Sequence, residues 1–458
     1  MSGRLTTTFV AEAMRLLGYE VHEGPEREVR GGAADSRAVT RGDLFTAFRG
    51  EHADGNEFVT DAFRHGAVAA VCERVPPGEW RDRTIVVAPD AVKAIGELAQ
   101  AWKRAVGPRV VGITGTVGKT TAKDLTAAAI ATRLKTHKSA GNLNSLEGLP
   151  LALLSLAQGD EVSVLELAMD SAGEILALCN IAEPEIGVVL NIGLTHVEKL
   201  GSIEAIQREK LSLVRYLGAD VTAIINLDDP RIAPVEVELD ATVISFGESA
   251  GAALRRGPVT SRGLAGTSFD VTYEGATAHV NSPVPGAHTA PAALAAIGTC
   301  LAFGMTLSEA AAAVSGADVG GRAQMIATDR GATIIDDRYN SSPASLAGAL
   351  QMLGGLPGRR IALLGRMAEL GEFEEAEHRK AGSAAASNCD LLVVVGATCK
   401  ALAEAAAGAG LQEIHWFGTK EEAAGFVRGQ LGRGDYVLVK ASRGEAFETI
   451  MPILEGTA

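Results

Sequence analysis

Cysteine is scarce and scattered, with single residues at 72, 179, 300, 389 and 399. An odd number without any C-x-x-C pair excludes a disulfide framework and a clustered zinc site, and leaves small core residues in a reducing compartment. Positive charge is also short: 42 Lys and Arg stand against 56 Asp and Glu, a net charge of −14. That balance excludes a protein that mainly coats nucleic acid or an anionic membrane, so any anionic ligand must be held by local groups. No apolar run approaches the ~18 residues of a membrane span, and the opening residues lack the basic-then-apolar layout of a secretory signal. A cytoplasmic location is expected. Internal repeats and low-complexity tracts are missing, apart from alanine-rich stretches that are good helix formers.

What is present is a chain of 458 residues, 47% hydrophobic and 21% charged, with ample material for a core. That length suggests about three domains of roughly 150 residues. Over residues 8–106, amphipathic helices (9–17 and 90–106) alternate with short strands (44–48, 67–72 and 84–88), the pattern of a small α/β domain. Gly107-Pro108 breaks the second helix and sets a boundary. Between 108 and 320, apolar strands such as 162–165 and 186–192 alternate with helices, predicting a largely parallel sheet covered on both faces. A β-rich stretch over 242–284 interrupts this alternation. After Gly320-Gly321, strands at 333–335, 360–364, 391–395, 414–417 and 436–439 predict a Rossmann-like α/β domain without a G-x-G-x-x-G loop. The expected organisation is therefore 1–107, 108–320 and 321–458.

The strongest local signal is the run of Gly112, Gly115 and Gly118 ahead of Lys119, Thr120 and Thr121, between a buried strand (110–114) and a helix (122–134). Glycines let backbone amides curl around phosphate oxygens, Lys119 neutralises β and γ phosphates, and Thr120 offers a hydroxyl to Mg²⁺. Ile113 replaces the first glycine of the general P-loop pattern, giving the G-x-x-G-x-x-G-K-T variant. Glu166 ends an apolar strand, where a Mg²⁺-binding carboxylate would sit opposite a P-loop; a solvated strand end is the plainer alternative. Lys210 falls inside the apolar stripe of Ile203, Ile206, Leu213, Val214 and Leu217 on one helix. Desolvation there favours the neutral amine that carbamylation by CO₂ requires, while a lysine snorkelling from the stripe's edge is the alternative.

Motifs spread over the whole chain extend this reading: Asp35-Ser36-Arg37, Gly42 to Phe45, Asp54-Gly55, Ala140 to Asn144, Glu166 to Ala168, Asn191 to His196, Asp336 to Asn340, Ala368 to Gly371 and Lys440 to Gly444. In this order they resemble the Mur ligases, ATP-dependent amide-forming enzymes of peptidoglycan synthesis. The resemblance implies an amino-terminal substrate domain, a central ATPase domain and a carboxy-terminal domain that brings the incoming amine. It also implies ATP, two Mg²⁺ ions and a carbamylated Lys210. Thr114, Gly115, Thr116, Val117, Gly118, Lys119, Thr120 and Thr121 are the implied phosphate cradle, and His288, Arg322 and Asp337 the implied groups for adenine, γ phosphate and ribose. Thr120, Glu166, His196 and the Lys210 carbamate would hold metal. Ser36, Arg37, Arg49, Asn142 and Asn144 would bind the UDP substrate, and Asn340, Lys440, Ser442 and Arg443 the dipeptide.

Among Mur ligases the motifs favour joining D-alanyl-D-alanine to UDP-N-acetylmuramoyl-tripeptide. The alternatives are addition of a single amino acid, extension of a folate or glutamyl chain, or a nucleotide-gated binding module without catalysis. Three departures stand out. Thr289 and Ala292 replace the two asparagines of a G-x-H-N-x-x-N motif near adenine, Arg338 replaces a common serine, and Arg366 replaces a common aspartate. A monomer binding small molecules, without nucleic acid, is the expectation.

Overall fold

The computed structural model describes residues 3–50, 53–319 and 324–457. Among the described residues three sheets follow one another, with strands of five, ten and six in number. The fold is α/β, with a small amino-terminal unit, a central unit built on a mainly parallel sheet, and a Rossmann-like carboxy-terminal unit.

In the first sheet Glu20–His22, Thr84–Val87, Ala69–Cys72, Asp43–Thr46 and Gly31–Ala33 lie side by side, parallel except for the first pair. Helix Ala91–Val106 starts at Asp90, whose side chain accepts from Lys93 N, and stops at Gly107 in the left-handed conformation (φ 75°) that glycine adopts without strain. Trp102 packs edge-on against Phe9 at 5.1 Å and donates to Leu156 O at 3.1 Å. Through such contacts the core under this sheet runs on without a break into the central unit.

The central sheet explains why residues 108–320 contain so many apolar runs. Its strands run Thr136–Lys138, Val162–Glu166, Arg109–Thr114, Ile186–Val189, Thr222–Asn226 and Thr242–Gly247, all parallel. Alternate side chains enter opposite layers. Val111, Ile113, Val164, Val188 and Ile224 meet helices Lys119–Ile130 and Ala290–Ala302, whereas Val110, Leu165, Val189 and Ile225 meet helices Glu174–Ala182 and Ile203–Arg215. At Gly112 and Gly187 an added Cβ would come within 3.3 and 3.0 Å of Leu213 and Leu217, so these glycines admit the second layer closely.

The β-rich stretch extends this sheet where the sequence pattern suggested an interruption. Leu254–Arg256 pairs parallel to Thr242–Gly247, and Thr267–Tyr273 with Ala276–Ser282 adds an antiparallel hairpin turned at Glu274 and Gly275. The third sheet orders Gln324–Ala327, Thr333–Asp336, Tyr436–Lys440, Arg360–Leu364, Leu391–Val395 and Glu413–Phe417, with only the first pair antiparallel.

Candidate active site

The connection from strand Arg109–Thr114 runs to Thr136–Lys138 on one side, whereas that from its neighbour Val162–Glu166 runs back to Ile186–Val189 on the other, so a crevice opens at their carboxyl ends, where open α/β sheets bind ligands. Gly115 and Gly118 shape the loop that fills it. An added Cβ on Gly115 would lie 2.9 Å from Leu190 Cβ, and Gly118 has φ 84°. The helix begins at Lys119, three residues before the expected start, because the loop feeds straight into its first turn. The first bond closing that turn is Ala122 N to Gly118 O at 2.8 Å, so the preceding amides form the anion-facing helix terminus.

Thr116 N and Val117 N, in contrast, donate to Asn191 Oδ1 at 3.0 and 2.9 Å, and Asn191 Nδ2 returns a bond to Val117 O at 3.0 Å. Asn191 belongs to a recognised motif, yet nothing in the sequence announces that it clamps the P-loop. Lys119 Nζ folds back to Gly115 O at 2.8 Å. Thr120 Oγ1 donates to Glu166 Oε2 at 2.6 Å, and Asn144 Nδ2 donates to Glu166 Oε1 at 2.8 Å. One carboxylate oxygen thereby faces the first turn of the helix, and the other faces Asn144. Thr114 is wholly buried at the strand end, with no hydrogen-bond partner for Oγ1 among the described residues.

The Thr120–Glu166 pair fits Mg²⁺, which takes hard oxygen ligands and completes its shell with water and substrate phosphates. Among the described residues no three His, Cys, Asp or Glu gather into a self-sufficient metal cage. His196 has φ 53° at the head of the short helix Val197–Leu200. Its Nδ1 lies 2.6 Å from Glu369 and 3.2 Å from Asp170, in neither case aligned as a hydrogen bond. Lys199 reaches the same Asp170 at 3.0 Å. Glu369 and Asp170 are site residues that sequence reasoning missed, because one belongs to each of two units that meet only in the fold.

Lys210 is 1% exposed and donates to Gly115 O at 3.1 Å, beneath the P-loop. Burial first, and the positive charge of Lys119 second, pull it well below the ordinary lysine range. Another missed residue, Lys123, is buried on the P-loop helix and donates to Ser139 O at 2.8 Å, supporting the segment that leads to Asn142 and Asn144.

A cavity of about 600 Å³ joins these groups to the third sheet. Thr116 to Lys119, Thr121, Asn142, Asn144, Glu166 and His196 line one side, and Asp337, Asn340, Lys440, Ser442 and Arg443 the other. His288, Thr289, Pro291, Ala292 and Met352 form an apolar end, where the His288 ring leaves no room for a Cβ on Gly348 (2.4 Å). Thr289 Oγ1 is occupied with Gly286 O at 2.8 Å.

Ser36, Arg37 and Arg49 do not reach this cavity. Ser36 O contacts His65 Nδ1 at 2.7 Å, Arg49 pairs with Glu73 at 2.5 Å, and exposed Arg37 pairs with Asp35, whose carboxyl it pulls down to about 2. Arg322 lies outside the described residues.

Residues 28–106 match the Mur ligase family, catalytic domain; residues 113–300 the Mur ligase middle domain; and residues 321–443 the Mur ligase, glutamate ligase domain. The UDP-N-acetylmuramoyl-tripeptide--D-alanyl-D-alanine ligase of Bacillus subtilis (strain 168) is 33% identical over 428 residues, covering 92% of each chain. The chain belongs to the Mur ligase family. Crystal structure I of MurF from Acinetobacter baumannii superposes on this Mur ligase with a TM-score of 0.85 at 27% identity, over 99% of both chains. The MurF ligase of Thermotoga maritima in complex with ADP gives 0.79 at 27% identity, over 93% of this chain and 97% of that one. No helix among the described residues is long and apolar enough to cross a membrane.

Proposed function

We propose that this Mur ligase joins D-alanyl-D-alanine to UDP-N-acetylmuramoyl-tripeptide, with ATP cleaved to ADP and phosphate. The observation that supports this most is the single cavity in which the P-loop with Glu166 faces Arg443 and Asn340 from another sheet. Such a cavity can hold a phosphoryl donor and an amine on either side of one acyl carbon.

A free carboxylate is a poor electrophile. The terminal carboxylate of the tripeptide therefore attacks the γ-phosphorus, the bond to the ADP oxygen breaks, and an acyl phosphate forms. The dipeptide amine then attacks the acyl carbon, its proton departs, and phosphate leaves as the amide forms. Lys119 and the helix terminus offset the charge that builds during phosphoryl transfer. Mg²⁺, held by Thr120 and Glu166, would draw charge from the transferring phosphoryl group. His196 and Lys210 are assigned to a second ion. As an ammonium, Lys210 shares Gly115 O with the ammonium of Lys119; as a carbamate it would bring the opposite sign.

Asp337 is assigned to the ribose, Arg322 to the γ phosphate and His288 to the adenine side. Asn142 and Asn144 face the acyl end of the UDP substrate. Ser36, Arg37 and Arg49, which lie outside the cavity lining, are assigned to its nucleotide end. The three proposed units are 1–107, 108–320 and 321–458.

Incubation with ATP, UDP-muramoyl tripeptides ending in lysine or diaminopimelate, and D-alanyl-D-alanine tests the assignment by mass spectrometry. Phosphate release is expected only with a UDP-tripeptide, and a new amide only when the dipeptide is added. Equal ATP hydrolysis without either acceptor overturns it.

A further inference from the structure

Lys440 ends the strand Tyr436–Lys440, between Thr333–Asp336 and Arg360–Leu364, and is 2% exposed although it borders the cavity. Its Nζ donates to Asp337 Oδ2 at 2.7 Å, to Asn340 O at 2.8 Å and to Asp337 O at 3.4 Å. An ammonium has three N–H groups and no more. All three are directed at these acceptors, so a substrate carboxylate could be taken only by breaking one of these bonds inside a buried site.

Ser442, 5% exposed, is committed in the same way: it accepts from Ala368 N at 2.9 Å and donates to Ser341 O at 3.2 Å. On this wall Arg443 is exposed, with its guanidinium 5.6 Å from the Tyr339 ring centre.

We infer that Lys440 is a positioning residue that fixes the Asp337 carboxylate for the nucleotide ribose, and that Arg443, not Lys440, meets the carboxylate of the incoming dipeptide. The inference rests on the assignment of Asp337 to the ribose. Lys440 holds one carboxylate oxygen, Oδ2, and by tying Asn340 O to the same nitrogen it fixes the loop from Asp337 to Asn340 as one piece. Without that anchor Asp337 samples other rotamers, and an oriented pair of ribose hydroxyls loses its partner.

The test is the ratio of kcat/KM for ATP to that for 2′-deoxyATP, measured together with KM for D-alanyl-D-alanine. The parent enzyme is expected to favour ATP about tenfold or more, as for a hydrogen bond to a charged group. Asp337→Ala and Lys440→Met should each bring the ratio close to one, and the double variant should lower it no further, as coupled residues do. KM for the dipeptide should rise about tenfold or more in Arg443→Ala, which loses a charged hydrogen bond, and by clearly less in Lys440→Met, which loosens the loop carrying Asn340 but leaves Arg443 in place. Should Lys440→Met fail to fold, Lys440→Gln serves, because its amide can keep Asn340 O bonded but carries no charge.

A preserved ratio with a raised dipeptide KM in the Lys440 variants overturns the inference while Asp337 keeps its ribose role. A ratio near one in the parent enzyme overturns the ribose assignment itself.

Discussion

Beneath the P-loop, Lys210 is 1% exposed and reaches a carbonyl oxygen, Gly115 O, that Lys119 also uses; at the head of the third sheet, Lys440 is 2% exposed and reaches the Asp337 carboxylate at 2.7 Å. Among the described residues no carboxylate lies within ion-pair distance of Lys210. Equal burial thus has opposite consequences. Where a buried ammonium has a carboxylate and two carbonyls, its charge is compensated and the residue organises its neighbours. Where it shares one carbonyl with another cation, the charged form is disfavoured and the amine becomes available for chemistry.

The sharpest way to break this contrast is to remove Lys210. Lys210→Ala is expected to lower turnover by at least two to three orders of magnitude, the scale of a lost electrostatic group at a phosphoryl-transfer site. If the missing element is a carbamate, formate or acetate at high concentration should restore part of the rate, and ethylamine in CO₂-free buffer should not. Neither additive should help Lys119→Ala, which lacks a cation. Rescue of Lys210→Ala by ethylamine alone would return Lys210 to the role of a plain ammonium.

A smaller effect contrasts the tightly bonded phosphate end with the apolar base end. Thr289 is occupied internally and Ala292 has no polar group, so shape and apolar contact do most of the base selection. GTP is therefore expected to fall below ATP in kcat/KM by about 10- to 200-fold, the range that apolar pockets reach. Rejection of GTP by 10⁴-fold or more would reveal a hydrogen-bonding base reader elsewhere in the cavity.

The smallest effect concerns the support behind Ser442. Arg366 donates to both oxygens of Glu374 at 2.7 Å, which holds that carboxyl below its ordinary value. A carboxylate with a lowered pKa in the folded state stabilises above its unfolded value, near 4.3, and loses that contribution as pH falls through the lowered one. Arg366 is partly solvated, so Glu374→Gln should cost about 1 kcal/mol at pH 7. In thermal melts the gap between the two proteins should close below about pH 4, and a gap independent of pH would show that packing, not charge, is lost.

The parts of the fold legible in advance share one property, a short-range pattern. Strands 162–165, 360–364 and 391–395 stand out because parallel strands buried on both faces are nearly continuous apolar runs. Glu20–His22, Gly31–Ala33 and Thr136–Lys138 have three residues each, none of them buried, and are too short to show a period. The apolar run over 186–192 overshoots its strand, which ends at Val189, because the last residues turn under the P-loop to place Asn191. The hairpin within 242–284 has a clear strand pattern, but its membership in the central sheet depends on pairing with Leu254–Arg256.

By itself the sequence determined the phosphate loop, the succession of α/β units and the family, since glycine spacing, apolar runs and ordered motifs are properties of the chain alone. The tertiary structure decided which motif residues are available to a ligand. Asn191 acts on amides 74 and 75 positions away, and Lys440 is saturated by acceptors 100 and 103 positions away. Hydrogen-bond capacity is finite, and whether a buried group has any left depends on neighbours that only folding brings within 3 Å.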